Sequence, residues 1–218
     1  MNSLTIKDLQ TLVAMARNNM LGFGHQQIII AGGAVRDLLL GGPVKDIDMF
    51  VGPDSTITDV DYTGEENDFT VKALRFADCH LRATGKAQPA HPNYPGWFDV
   101  VDVPGSRVTH GLPVQIIGIN LNPIDDVMNY DFSISQCFVT PGGLFMSDQC
   151  GKDMRDKIIR FTPEDGQDGF QWERSRKRLH RLRQKYPDWA LVDCDELTRV
   201  TAEDGSFRPI PVSDDELL

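Results

Sequence analysis

The chain opens with apolar residues at a helical period. Leu4, Ile6, Leu9, Leu12, Val13, Met15, Ala16 and Met20 fall close to one face, which predicts a helix over 4–20. Ser3 or Thr5 offers its N-cap, and Gly22 and Gly24 its stop. Residues 26–31, Gln-Gln-Ile-Ile-Ile-Ala, are a short β-branched run of the kind that forms a buried strand, and Gly32-Gly33 breaks it. A helical pattern returns over 34–40 and stops at Gly41-Gly42-Pro43. From Asp46 to Val51 polar and apolar residues alternate up to Gly52-Pro53, which predicts a second strand carrying Asp46 and Asp48 on one face.

The next stretch, 54–65, is acidic and turn-rich and reads as a loop. A helix is predicted over 68–81, and a loop over 86–96, where Pro89, Pro92 and Pro95 oppose regular structure. Strands over 97–103 and 114–119 read as a hairpin. A second hairpin is expected from 132–140 and 144–147 around Pro141-Gly142-Gly143. A short helix over 151–157, a strand at 158–161 and a linker over 162–169 lead to a helix over 170–186 that ends near Pro187. From Ala202 the chain is rich in Gly, Pro and acids, and no regular structure is expected. The fold class is therefore α+β, a small mixed sheet of about five strands flanked by helices and followed by a helical neck.

Charge sharpens this picture. The 218 residues carry a net −10, which opposes broad affinity for nucleic acid. Between Glu173 and Lys185, however, stand seven bases against one acid, a local +6 that leaves the remainder at −16. Residues 193–218 hold eight acids and two bases. Any polyanion site would be local and built around the 170–186 helix, whose alternative is a solvated face. No run of about 18 apolar residues suggests a membrane span, and no basic-then-apolar leader is visible at the N-terminus, so a cytoplasmic protein is expected. Cys79, Cys137, Cys150 and Cys194 are far apart and read as reduced thiols, and the five histidines lack metal-ligand spacing.

The chemistry concentrates between Ile30 and Asp48: strand, glycine pair, helix, tight turn, then a strand with carboxylates at i and i+2. Two glycines at a helix start let backbone N–H groups approach a phosphate with no Cβ between. Carboxylates two apart on a strand project to one side and can share divalent cations. A phosphate cradle beside a metal clamp is the outline of a nucleoside triphosphate site. The two aspartates are expected side by side at the sheet edge, facing the Gly32-Gly33 turn.

This segment resembles the head domain of CCA-adding enzymes and bacterial poly(A) polymerases, of the DNA polymerase β-like nucleotidyltransferase superfamily. Their signature GGxVRDxLLG followed by (K)DxD is met by Gly32, Gly33, Val35, Arg36, Asp37, Leu39, Leu40, Lys45, Asp46 and Asp48. Fainter counterparts follow. Residues 114–119 stand for a strand reading VEVxTFR, 129–138 for RRDFTINAMA, 142–151 for the DGxLIDPxGG hairpin and 153–160 for DLxxxxIR. The likeness thus covers about 26–161, with a neck helix to Tyr186. Gln115 stands where the pattern has Glu, Asn129 and Tyr130 where it has two arginines, and Ser135 where it has Asn. Asp131 survives.

The resemblance implies a polymerase β-like nucleotidyltransferase fold, with a head over 1–161, a basic neck over 162–190 and an acidic tail over 191–218. It implies transfer of NMP from an NTP to a hydroxyl with release of pyrophosphate, an RNA 3′ end being the favoured acceptor. Asp46 and Asp48 would be the catalytic carboxylates and hold Mg²⁺ or Mn²⁺. Gly32, Gly33, Arg36, Asp37 and Asp131 would contact the nucleotide, with Arg174, Arg178 and Arg181 of one helical stripe forming a wall of its cleft. Arg36 and Asp37 are otherwise a helix-surface pair, and Asp131 a helix cap. Asp99 or Asp102 could supply the carboxylate missing at Gln115. The length suits a minimal head-plus-neck form such as small phage-encoded transferases. Two other readings stand beside this one: a catalytically weakened head that binds a nucleotide, RNA or protein, and a transferase acting on a protein hydroxyl.

Overall fold

A computed structural model of the chain describes residues 4–19, 26–54, 69–91, 97–163, 169–201 and 207–209. The expected glycine stop at 22–24 and the acidic stretch at 55–65 lie outside them. The chain divides into two compact units, Met1–Met128 with Ser135–Met146, and Asn129–Ile134 with Ser147–Leu218.

The first unit begins with α1 (Ile6–Asn19), which buries Leu9, Leu12, Val13 and Ala16. Thr5 and Asp8 close its N-terminus reciprocally. The Asp8 N–H donates to Thr5 Oγ1 at 3.2 Å and the Thr5 N–H to Asp8 Oδ2 at 2.9 Å, so two end groups of the helix are satisfied at once. The chain continues through β1 (Gln26–Ala31), α2 (Gly33–Leu39), β2 (Ile47–Asp54), α3 (Phe69–Phe76), β3 (Gln88–Ala90), β4 (Trp97–Val103), β5 (Val114–Ile119), α4 (Pro123–Met128), β6 (Cys137–Thr140) and β7 (Gly143–Met146). Ile28, Ile29 and Ile30 are all buried, as a strand covered on both faces requires.

The strands form one seven-stranded mixed sheet in the order β3-β4-β5-β2-β1-β6-β7, larger than the expected sheet of about five. One addition is β3, inside the segment expected to be a loop. It lies at the sheet edge, where Pro89 need not donate to a second neighbour. Strand β2 also runs past Gly52-Pro53. Asp54 pairs with Gln26 and Val51 with Ile28, and the register shift between them accommodates the proline. The helix expected over 68–81 changes at Ala77 to a π turn, Ala77–Leu81. Residues 132–136 are not strand, since Ser133–Ser135 make a 3₁₀ turn before β6.

The second unit holds α5 (Asp148–Asp156), β8 (Ile158–Arg160), α6 (Gly169–Lys185), β9 (Ala190–Val192), β10 (Arg199–Thr201) and β11 (Phe207–Pro209). Strands β8 and β9 pair in parallel. Strand β11 pairs with β10, so part of the tail expected to lack regular structure is in a ladder. Helix α6 buries Ser175, Leu179 and Leu182 with Tyr186 just beyond, an i, i+4, i+7, i+11 stripe. Phe161 joins Phe132 and Trp172, with ring centroids 5.5 and 5.3 Å apart.

Candidate functional site

In the first unit the glycine pair sits where β1 passes into α2. Gly32 has φ 70° and ψ −125°, a conformation open in practice to glycine alone. Its N–H donates to the Cys137 carbonyl at 3.1 Å, which pins the turn to β6. The first bond within α2 runs from the Arg36 N–H to the Gly32 carbonyl at 3.0 Å. The N–H groups of Gly33, Ala34 and Val35 thus precede the helical ladder.

Arg36 and Asp37 are 9% and 4% exposed, so they are not a surface pair. Arg36 Nη2 lies 2.9 Å from Asp37 Oδ1 and Nε donates to the same oxygen at 3.0 Å. Arg36 Nη1 donates to Ser135 Oγ at 3.2 Å. A Cβ built on Gly33 would stand 3.8 Å from Arg36 Nη2, so the guanidinium folds back under the glycine turn. This joins the turn, α2 and the segment before β6 through one buried charge pair.

Asp46 is exposed, immediately before β2, and Asp48 is half-buried within it. Strand β2 lies between β5 and β1, so the aspartates are at the end of an interior strand and not at the sheet edge. Strands β1 and β2 are antiparallel, with Ile30 opposite Met49. Continuing that register brings Gly32 level with Ile47, between the two aspartates in sequence. The turn and the carboxylates therefore share one end of neighbouring strands.

The sheet also separates the other candidate carboxylates. Asp48 is level with Gln115 on β5, and Gln115 with Asp102 on β4. The three share one face, and Gln115 Nε2 donates to Asp102 Oδ1 at 2.8 Å. Asp99, three residues from Asp102, faces the other side, where Thr70 Oγ1 of α3 donates to it. Only Asp102 is thus in the row that Asp48 begins. Among the described residues, no group of three or more His, Cys, Asp or Glu is disposed to hold a metal ion.

In the second unit, Asp131 is 9% exposed. It accepts from Ser175 Oγ at 2.7 Å and from Arg178 Nη1, both on α6. The Arg178 guanidinium also lies 5.9 Å from the centre of the Tyr130 ring. Arg174 is half-buried and Arg181 exposed. Residue-by-residue reading missed Asp153, which is fully buried. It accepts from Ser133 Oγ at 2.6 Å, Gln149 Nε2 at 2.7 Å and Arg160 Nε at 3.1 Å. The hydrogen bond to Asp153 raises the pKa of Arg160, and Asp193 adds a second partner at 3.0 Å. The Asp153–Arg160 spacing was visible as a motif, but not its role as the unit's buried ion pair. Burial pushes the Cys194 thiol pKa up.

No protein-family profile matches the chain, and no curated protein matches it by sequence. Solved structures do match. One is the Thermotoga maritima CCA-adding enzyme complexed with tRNA, at 20% identity and a TM-score of 0.55, covering 86% of this chain and 39% of that one. Another is the Bacillus stearothermophilus CCA-adding enzyme in complex with CTP, at 15% identity and a TM-score of 0.55, covering 90% and 43%. The fold is that of the CCA-adding enzyme head. A CCA-adding enzyme complexed with ATP is similar too, at 21% identity and a TM-score of 0.54, covering 85% of this chain and 38% of that one. The chain thus spans 38–43% of the length of these nucleotidyltransferase-fold structures. Among the described residues no helix is long and apolar enough to cross a membrane.

Proposed function

We propose that the chain is a nucleotidyltransferase that moves NMP from an NTP to a hydroxyl acceptor, an RNA 3′ end in preference, and releases pyrophosphate. The observation that carries this reading is the meeting of the Gly32-Gly33 turn with Asp46 and Asp48 at one end of β1 and β2. The acceptor oxygen bonds to the α-phosphorus, the bond to the β-phosphate oxygen breaks with its electron pair leaving on pyrophosphate, and the hydroxyl proton passes to water.

Two carboxylates on one strand face suit Mg²⁺, which takes one or two carboxylates and completes its shell with substrate phosphates and water. Mn²⁺ accepts the same oxygen donors. Asp46 and Asp48 would hold the cation, which when bound activates the attacking hydroxyl and offsets charge on the phosphates. Gly33 and Ala34 would present N–H groups to phosphate oxygens, the Gly32 N–H being held by Cys137. Arg36 and Asp37 would keep that turn in place. Arg174, Arg178 and Arg181 belong to the second unit, where Asp131 holds Arg178.

The Gln115 carboxamide, bound to Asp102, favours a second reading in which the head binds nucleotide without turnover. Incubation with each α-labelled NTP, Mg²⁺ or Mn²⁺, and either RNA or a protein lysate separates the readings. Label on RNA supports the proposal, and label on protein shifts the acceptor. NTP binding without label in any fraction supports the second reading.

A further inference from the structure

We propose that Arg82 and Arg107, with Lys86 beside them, hold the phosphodiester of the acceptor that lies next to its reacting hydroxyl. The inference deepens the reading of an RNA end as acceptor and rests on it. All three residues belong to the first unit, as do the glycine turn and both aspartates. Strand β5 starts level with Ile47, whose N–H donates to the Pro113 carbonyl at 3.0 Å. Strand β4 ends at Val103, level with Val114. The β4–β5 connection, 104–113, is therefore at the end of the sheet where the aspartates stand. The segment entering β3, 82–87, is at that end too, since Gln88 is level with Asp102.

Backbone bonds tie these two segments together. Ala83 and Ser106 form an antiparallel bridge, and Thr84 donates to the Gly105 carbonyl through its N–H at 3.0 Å and its Oγ1 at 2.7 Å. One residue outward from the bridge, Arg82 comes level with Arg107. The turn that carries Arg107 is closed from within. Ser106 and Thr109 are buried, and the hydroxyl of each accepts the other's N–H, at 3.2 and 2.8 Å. Arg82 has a φ of 50°, left-handed backbone that is uncommon outside glycine. Like charges set opposite one another oppose folding. Yet Arg82, Lys86 and Arg107 are exposed, and among the described residues their side chains make no hydrogen bond or ion pair. The two segments contain no acid, and their one described ion pair is that of His110 with Asp8. Two guanidiniums held level on cross-tied backbone suit a phosphate, whose oxygens accept from both forks.

Placement within the sheet decides which phosphate. Phosphoryl transfer puts the attacking and leaving oxygens in line. The leaving pyrophosphate would lie at the Gly32-Gly33 turn, on the β1 side of the aspartates. The attacking hydroxyl then comes from the β5 and β4 side. Strand β4 is two steps of about 4.8 Å from β2, so the ends of these strands are about 10 Å apart. A strand end whose hydroxyl meets the aspartates brings its last phosphodiester to that side. A protein hydroxyl brings no such group.

The test is steady-state transfer to a single-stranded 12-nucleotide RNA, paired with fluorescence anisotropy of the same RNA without NTP. Arg82→Gln with Arg107→Gln should raise the acceptor KM roughly tenfold and leave the NTP KM at its native value. RNA affinity should fall by the same factor, and the slope of log K on log salt should flatten by about 0.7, the share of one phosphate on a single strand. Lys152→Gln with Arg155→Gln, exposed residues of α5, makes the same change in net charge and should alter none of these. An RNA whose last phosphodiester is a neutral methylphosphonate should bind the native chain roughly tenfold more weakly, and the Arg82 and Arg107 variant should lose nothing further. Unchanged acceptor KM and affinity in that variant, equal loss in the α5 variant, or a native chain indifferent to the methylphosphonate each overturns the site. A rise in the NTP KM alone gives the pair to the triphosphate and overturns it too. RNA binding that depends on the pair without label transfer keeps the site and removes the transferase reading. Label transfer to RNA with an unaffected variant does the reverse.

Discussion

Asp48 is the residue on which the proposed chemistry most depends. Asp48→Asn keeps the size and polarity of a half-buried side chain but removes a cation's ligand. Loss of such a ligand forfeits several kcal/mol of transition-state stabilisation, so transfer should fall on the order of 10³-fold while the thermal midpoint stays near the native value. Native-level incorporation by the variant would exclude the site. Gly32 carries a different constraint, since its φ of 70° and ψ of −125° strain any residue with a Cβ. Gly32→Ala should cost about 1–3 kcal/mol in a urea titration and disturb the turn that Arg36 holds from below. A midpoint equal to native would show that the turn relaxes without loss.

At the scale of elements, the cap of α1 makes a prediction about pH. The side-chain hydrogen bond from Thr5 lowers the pKa of Asp8, with burial opposing and His110, 3.6 Å away, adding to the lowering. A carboxylate depressed in the folded state stabilises it above the ordinary value of about 4, and that contribution is lost as pH falls through the folded value. Native stability should therefore show an acid-side loss below about pH 4 that Asp8→Asn reduces. Thr5→Ala should cost about 1 kcal/mol near neutral pH, measured by thermal or urea unfolding. The loop between β4 and β5 is set by contact instead. A Cβ on Gly105 would collide with the Gly111 carbonyl, so the backbone at these two glycines passes too close for a side chain.

At the scale of the whole chain, cation binding to the folded state should appear as stability. Asp46 and Asp48 converge on one strand end in a chain of net −10, and a divalent ion there relieves repulsion only once the chain is folded. Mg²⁺ at tenfold its dissociation constant should add about 1.4 kcal/mol, seen as a higher thermal midpoint in calorimetry. Asp46→Asn with Asp48→Asn should abolish that rise, whereas Lys152→Gln should retain it. An equal rise in the doubly substituted chain would place the ion elsewhere.

Local chemistry determined much of this protein. The 3.6-residue period of Leu9, Leu12, Val13 and Ala16, the β-branched run before Gly32 and the alternation around Asp48 each follow from how a few neighbouring residues bury apolar surface. The same short range made the glycine turn and the paired aspartates legible as candidate chemistry. Tertiary structure decided what depends on pairing between distant strands and helices. Register placed Asp102 in the row of Asp48 and turned Asp99 to the opposite face, although only two residues separate them in sequence. The edge of the sheet made Pro89 part of a strand, because an edge position leaves one side of the backbone without a partner to satisfy. Packing within the second unit made Asp131 the partner of Ser175 and Arg178, and buried Asp153 against Arg160. A carboxylate's role is set by which distant donors are brought to it at about 3 Å, and that is a property of the folded chain rather than of its local pattern.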